Sequence, residues 1–123
     1  MRQELGINKI CLGIITFLLL TSCNNDIQDV VLEGYVYDKT TELPIKNALL
    51  KIENAYYEGG DFDSYNHYDK YEITTNEKGY FKIELDKSAY IQIDINEAGY
   101  QNYFQAIEVY SKSLSKMIYL SKI

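Results

Sequence analysis

From residue 30 to the C-terminus, apolar and polar side chains alternate at every second position. This period constrains the fold more than any other feature of the 123-residue sequence. Leu32, Gly34 and Val36 alternate with Glu33, Tyr35 and Tyr37, and Ala48, Leu50 and Ile52 with Leu49, Lys51 and Glu53. The pattern recurs in Tyr71-Ile73-Thr75, Phe81-Ile83-Leu85 and Ile91-Ile93-Ile95, and less regularly near Tyr103 to Val109 and Met117 to Leu120. A period of two puts alternate side chains on opposite faces of a pleated strand, whereas a helix needs 3.6. No stretch past residue 23 carries a helical stripe. Turn residues separate the runs. Pro44 cannot donate to a ladder, Asn76 to Gly79 reads as a hairpin turn, Ala98-Gly99-Tyr100 as another turn, and 111 to 116 as a Ser- and Lys-rich loop. The expectation is an all-β domain of about seven antiparallel strands packed as a sandwich.

The N-terminus obeys a different rule. Arg2 and Lys9 flank a polar start, and Ile10 to Leu20 is almost wholly apolar. About eleven apolar residues fall short of the ~20 that span a bilayer but match the ~7–15 of a signal-peptide core. The run ends in Leu20-Thr21-Ser22-Cys23, which resembles the lipobox of bacterial lipoproteins. The resemblance implies a signal peptide over 1–22, acyl groups on Cys23, and a membrane-held protein of the cell envelope, with the outer membrane as the expected location. Residues 23–29 then read as acylated cysteine and tether, and 30–123 as the domain.

Charge excludes other classes. Taking Arg2, Lys9 and Glu4 from the 12 basic and 18 acidic residues leaves ten and seventeen, a net charge of −7 without any arginine. Nucleic acid demands a basic footprint, so it is not an expected partner. Cys11 departs with the signal peptide and Cys23 is acylated, which leaves no thiol for a disulfide or a thiolate metal site.

A longer pattern then emerges. Gly34-x-Val36-x-Asp38, Thr41-x-x-Pro44-Ile45-x-x-Ala48-x-Leu50, Thr75-x-x-x-Gly79-x-Phe81-x-Ile83 and Ala98-Gly99-Tyr100 together resemble the carboxypeptidase regulatory-like domain. The resemblance covers residues 30–121 and implies a transthyretin-like (prealbumin-like) sandwich with a supporting or interaction role. Two positions depart from the pattern. Glu42 and Asn47 stand where the family commonly has glycine. Asn tolerates left-handed backbone, while Glu42 implies a different first turn.

Candidate chemistry concentrates in Tyr56 to Tyr71, a segment that breaks the alternation and reads as a long loop. Its tyrosines, Tyr56, Tyr57, Tyr65, Tyr68 and Tyr71, would suit a platform for a protein or a glycan. Asp61, Asp63, Asp69 and Glu72 fall at positions 1, 3, 9 and 12 of an EF-hand-like loop. Tyr65 at position 5 and Asn66 in place of the glycine at 6 weigh against calcium. Otherwise no cofactor is expected. His67 is the one histidine, Lys70 stands where His-x-x-Glu would need its carboxylate, and no Gly-x-Ser-x-Gly elbow occurs. The expectation is a non-enzymatic, membrane-anchored lipoprotein that acts as a structural or protein-binding accessory domain of the cell envelope, with an envelope protein or glycan as its partner. The alternative is a surface glycan- or calcium-binding component of a nutrient-uptake system.

Overall fold

The computed structural model describes residues 26–58 and 67–123. Every regular element among them is a strand: β1 (Ile27–Asp38), β2 (Leu49–Tyr56), β3 (His67–Thr74), β4 (Tyr80–Ser88), β5 (Tyr90–Ile95), β6 (Tyr103–Glu108) and β7 (Ser113–Leu120). They form two sheets, of order β4-β1-β7 and β3-β2-β5-β6. The all-β sandwich expected from the alternation is the observed fold.

The alternating apolar residues make the layer between the sheets. Val30, Leu32 and Val36 of β1, Phe81 and Leu85 of β4, and Ile118 and Leu120 of β7 face Leu50 and Ile52 of β2 and Ile91, Ile93 and Ile95 of β5, all buried. Each such aliphatic side chain stabilises the fold by about 1.5–3 kcal/mol when fully removed from water.

The strand order departs from expectation in one respect. Four of the five ladders are antiparallel, but β7 runs parallel to β1, pairing Val31 with Ser113 through Asp38 with Leu120. Three boundaries also move. β7 begins at Ser113, inside the stretch read as the 111–116 loop. β1 begins at Ile27, inside the segment read as tether, because Ile27 and Gln28 already pair with Ser88 and Lys87. β3 begins at His67, which returns five residues of the expected loop to the sheet.

The connections sort to two ends. Asp26, Tyr57 and Glu58, Ala89 and the 109–112 turn lie at one end of the sandwich. Residues 39–48, 75–79, 96–102 and the C-terminus lie at the other. At the second end the chain uses left-handed backbone at Asn47 and Gly79, as sequence reading anticipated, and also at Glu42, which keeps the backbone of the glycine it replaces instead of the different first turn expected. Glu42 has φ 61° and Asn47 φ 57°, and Gly79, at φ 75°, turns the tight connection from β3 to β4. That turn, expected as a hairpin, instead passes from one sheet to the other, since β3 and β4 belong to different sheets. Asn76 closes it by accepting the Lys78 and Tyr80 amides at 2.9 and 3.0 Å.

Asp38 organises the turn after β1. Its Oδ1 accepts the Thr40 and Thr41 amides at 2.8 and 3.0 Å, and its Oδ2 accepts the Tyr100 hydroxyl at 2.8 Å, with Lys122 Nζ 3.6 Å away. The Thr41 amide foremost, then the Tyr100 hydroxyl, the Thr40 amide and the Lys122 charge, hold the carboxyl down at about 2 against an ordinary 3.8. A carboxyl depressed in the folded state stabilises that state at pH values above its unfolded pKa. The contribution disappears as pH falls through the folded value. Asp38→Asn is therefore expected to melt lower than wild type at neutral pH, with the gap closing between about pH 4 and pH 2. Thermal melts across that range check it, and a gap independent of pH would refute the role of the ionised carboxylate.

Candidate functional site

Among the described tyrosines of the 56–71 segment, Tyr68 and Tyr71 fall on opposite faces of one strand. Tyr65 lies outside the described residues, as do Asp61 and Asp63. Tyr56 ends β2, Tyr57 follows it, and Tyr68 and Tyr71 belong to β3. Register decides which way the strand residues point. His67, Asp69, Tyr71 and Ile73 pair with Tyr56, Asn54, Ile52 and Leu50, and so share the face turned toward the other sheet. Tyr68, 55% exposed, projects from the opposite face. The same geometry separates Asp69 from Glu72, which point to opposite sides of β3 and cannot turn onto a common ion as positions 9 and 12 of a loop would. Among the described residues no three His, Cys, Asp or Glu side chains converge as a metal set.

What the segment does build is a polar cluster at the N-terminal end of the sandwich. The Tyr56 hydroxyl donates to Asp69 Oδ2 at 2.9 Å, and its ring stacks on His67 with centroids 5.2 Å apart and planes 11° apart. Glu58 takes His67 Nε2 at 2.8 Å and Lys87 Nζ at 2.6 Å, and the same Nζ lies 5.2 Å from the Tyr56 ring centre. The Lys87 hydrogen bond, reinforced by the Lys87 and His67 charges, lowers the Glu58 carboxyl below its ordinary range. The Asp69 hydrogen bond, with burial and the Asp69 charge, pushes the Tyr56 phenol up to about 12. At neutral pH this phenol keeps its proton and serves as a donor, not a nucleophile. The chemistry here is that of a fastening: charges satisfied pairwise where three connections meet.

The aromatic surface lies elsewhere. On the outside of the three-stranded sheet, Tyr80 of β4, Tyr35 and Tyr37 of β1 and Tyr119 of β7 form a continuous row, with centroid separations of 5.3, 6.0 and 5.8 Å. Met117, paired with Tyr35, extends the row and is 56% exposed, and Tyr119 is 45% exposed. The Tyr80 hydroxyl donates to Glu33 Oε2 at 2.5 Å, a bond that raises its pKa to about 12 and locks the ring. Beside the row runs a groove of about 520 Å³ lined by Glu33, Tyr35, Asn76, Lys78, Tyr80 and Ser115. A smaller cavity of about 260 Å³ lies on the outside of the four-stranded sheet, where the short side chain of Ala55 leaves a floor between Tyr68 and Tyr90.

No family model matches the chain. No curated protein matches its sequence. Solved structures do match its fold. A 3-chlorocatechol 1,2-dioxygenase from Rhodococcus opacus superposes with a TM-score of 0.62 at 12% identity, over 83% of this chain and 62% of that one. A catechol 1,2-dioxygenase from Acinetobacter gives 0.63 at 14%, over 83% and 55%. The group B streptococcus pilus 2b backbone protein gives 0.58 at 17%, over 78% and 42%. The chain thus spans less than two thirds of each of these proteins, and at such identities the likeness is one of fold alone.

The tyrosine row is what sequence reading missed. Its signal was present in part. Tyr35 and Tyr37 occupy the outward positions of an alternating strand, where polar residues are the norm. Tyr80 and Tyr119 join them only through strand pairing across 45 and 82 residues of sequence, which periodicity does not reveal.

Proposed function

We propose that this protein is a non-catalytic lipoprotein of the bacterial envelope, acylated at Cys23. On this reading its carboxypeptidase regulatory-like sandwich binds an envelope protein through the tyrosine row. The observation that carries the binding role is the row itself. Four tyrosines and a methionine on one rigid sheet face have the composition of interface centres: large rings with little entropy to lose, rimmed by Glu33, Lys78 and Ser115. The family reading draws support from Glu42 and Asn47, which adopt the left-handed backbone at the two places where that family commonly carries glycine. The lipoprotein reading rests on the 20–23 motif and the short apolar run before it, and the outer membrane is the proposed destination.

A glycan-binding role is the second reading, and the Tyr68–Ala55–Tyr90 floor favours it. Two aromatic side chains flanking a shallow depression, with Glu53 and Gln92 at its margin, suit a sugar ring stacked between hydrogen-bonding groups.

One experiment tests anchor and surface together. In a bacterial host, wild-type protein carrying a photo-crosslinking amino acid at Tyr119 is expected in the membrane fraction and the detergent phase, forming a discrete adduct on irradiation. The same amino acid at Phe104, exposed on the other sheet, is expected to form none. Cys23→Ser is expected to move the protein wholly to the aqueous phase, since the lipid supplies the membrane affinity. A membrane-bound Cys23→Ser protein would refute the anchor, and equal adducts from both positions would refute the surface.

A further inference from the structure

The first described residue fixes the direction in which the chain leaves the sandwich. Asp26 Oδ1 accepts the Tyr57 amide and Asp26 Oδ2 the Glu58 amide, both at 2.8 Å. One carboxylate thus clasps two consecutive amides at the foot of the 57–66 connection, where Glu58 has a left-handed φ of 49°. Immediately afterwards Ile27 enters the ladder opposite Ser88. The backbone is therefore held from Asp26 onward, and no long flexible stalk separates the domain from Cys23.

Three residues connect Cys23 to Asp26, and a fully extended chain covers at most about 3.6 Å per residue, so their Cα atoms lie within roughly 11 Å of each other. We infer that the anchored protein stands on end, with Asp26, Glu58, Ala89 and the 109–112 turn toward the lipid headgroups and its 39–48, 75–79 and 96–102 connections facing away from the membrane. This rests on acylation at Cys23. The strands supply the height. β1 alone has 12 residues, about 40 Å at ~3.3 Å each, which exceeds the reach of the tether several times over. The end nearest Cys23 also carries the side chains that such a position favours. Tyr110 is 79% exposed there, with its hydroxyl donating to Glu108, and exposed Lys112 follows it in the same turn. Tyrosine rings settle at the headgroup level, and lysines snorkel beside them. Both outer sheet faces, the tyrosine row and the Tyr68–Tyr90 cavity among them, then become side walls. A partner using either would approach parallel to the membrane plane.

The test uses the acylated protein reconstituted in phosphatidylethanolamine–phosphatidylglycerol vesicles containing a headgroup-attached quencher. With Cys11 removed by processing and Cys23 blocked by lipid, Ser111→Cys and Ala98→Cys each provide a single thiol for a fluorophore, one at each end. Quenching is expected to be several-fold stronger at position 111 than at position 98. Ten Gly/Ser residues inserted between Asn25 and Asp26 are expected to abolish that contrast. Protein that floats with the vesicles but shows equal quenching at the two positions overturns the orientation while leaving the anchor intact. Protein that does not float overturns the anchor, and the orientation with it.

Discussion

Gly34→Ala is expected to destabilise the protein by about 3 kcal/mol, at the upper end of what one added methyl group costs in a packed interior. Gly34 sits on the inward side of β1, where that strand meets its parallel neighbour β7. A Cβ built there falls 2.0 Å from the Lys116 carbonyl oxygen and 3.0 Å from Phe81 Cζ. The ring could rotate away. The carbonyl could not, because it belongs to the backbone of the β1–β7 ladder. Relief therefore requires the two strands to part, and with them the edge of the core formed by Ile118 and Leu120. Gly99→Ala provides the comparison. Its φ of 86° strains an alanine, yet nothing lies within 4 Å of the new atom, so a loss of about 1 kcal/mol is expected. Urea denaturation of the three proteins checks the order. In a double-mutant cycle, Phe81→Leu should offset only the smaller part of the Gly34→Ala loss, since it vacates the ring contact, leaves the carbonyl and carries its own cavity cost. A Gly34→Ala protein unfolding at the wild-type midpoint would show that β7 packs differently.

Thr75→Val is expected to cost about 3 kcal/mol although it preserves side-chain shape, because it orphans one buried donor and one acceptor at ~1–3 kcal/mol apiece. The Thr75 hydroxyl accepts the Ala48 amide at 2.9 Å and donates to the Ile45 carbonyl at 2.6 Å. Thr75 is 2% exposed and Ala48 is fully buried, so water cannot replace the bond between them, while the Ile45 carbonyl is part-buried. The backbone adds two more links in the same place, Asn47 N–H to Thr75 O at 2.9 Å and Thr75 N–H to Ala48 O at 3.1 Å. This residue is what ties the crossover between β1 and β2 to the end of β3. Thr75→Ser keeps the hydroxyl and should lose far less. Amide exchange at Ala48 should accelerate in the valine variant and stay slow in the serine one. Similar stability for serine and valine would mean that the methyl group matters and the hydroxyl does not.

Some of this architecture was visible in the residues and some could not be. Ile91, Ile93 and Ile95 announce a strand with one buried face, because burial on one side of a pleat requires that spacing. The direction of β7 leaves no trace, since an alternating strand reads the same whichever way its neighbour runs. The first half of β3 reads as loop in the sequence because, among the described strands, it pairs with β2 alone. At the edge of a sheet, His67 to Glu72 stay largely exposed on both faces, so the apolar period that would mark them never develops. The calcium spacing misled for the same reason. Asp69 and Glu72 are three apart in a segment that proves extended, where three apart means opposite faces. Among binding residues, Tyr35 and Tyr37 could be placed outward from sequence, but their union with Tyr80 and Tyr119 is a product of tertiary pairing. The clasp made by Asp26 needed coordinates, because its partners are backbone amides more than thirty residues away.

The parallel pairing of β1 with β7 has a kinetic consequence. Val31 meets Ser113 only after 82 further residues have been synthesised, whereas β2, β3, β5 and β6 can all find their neighbours before β7 exists. Loop closure over such a distance is slow, and contacts of high sequence separation govern folding rates in all-β proteins. Until β7 emerges, a nascent chain lacks one edge of its three-stranded sheet, and with it the Ile118 and Leu120 side of the core. Completion of that sheet therefore waits for the last of the seven strands to be made, long after its partner β1 has left the ribosome.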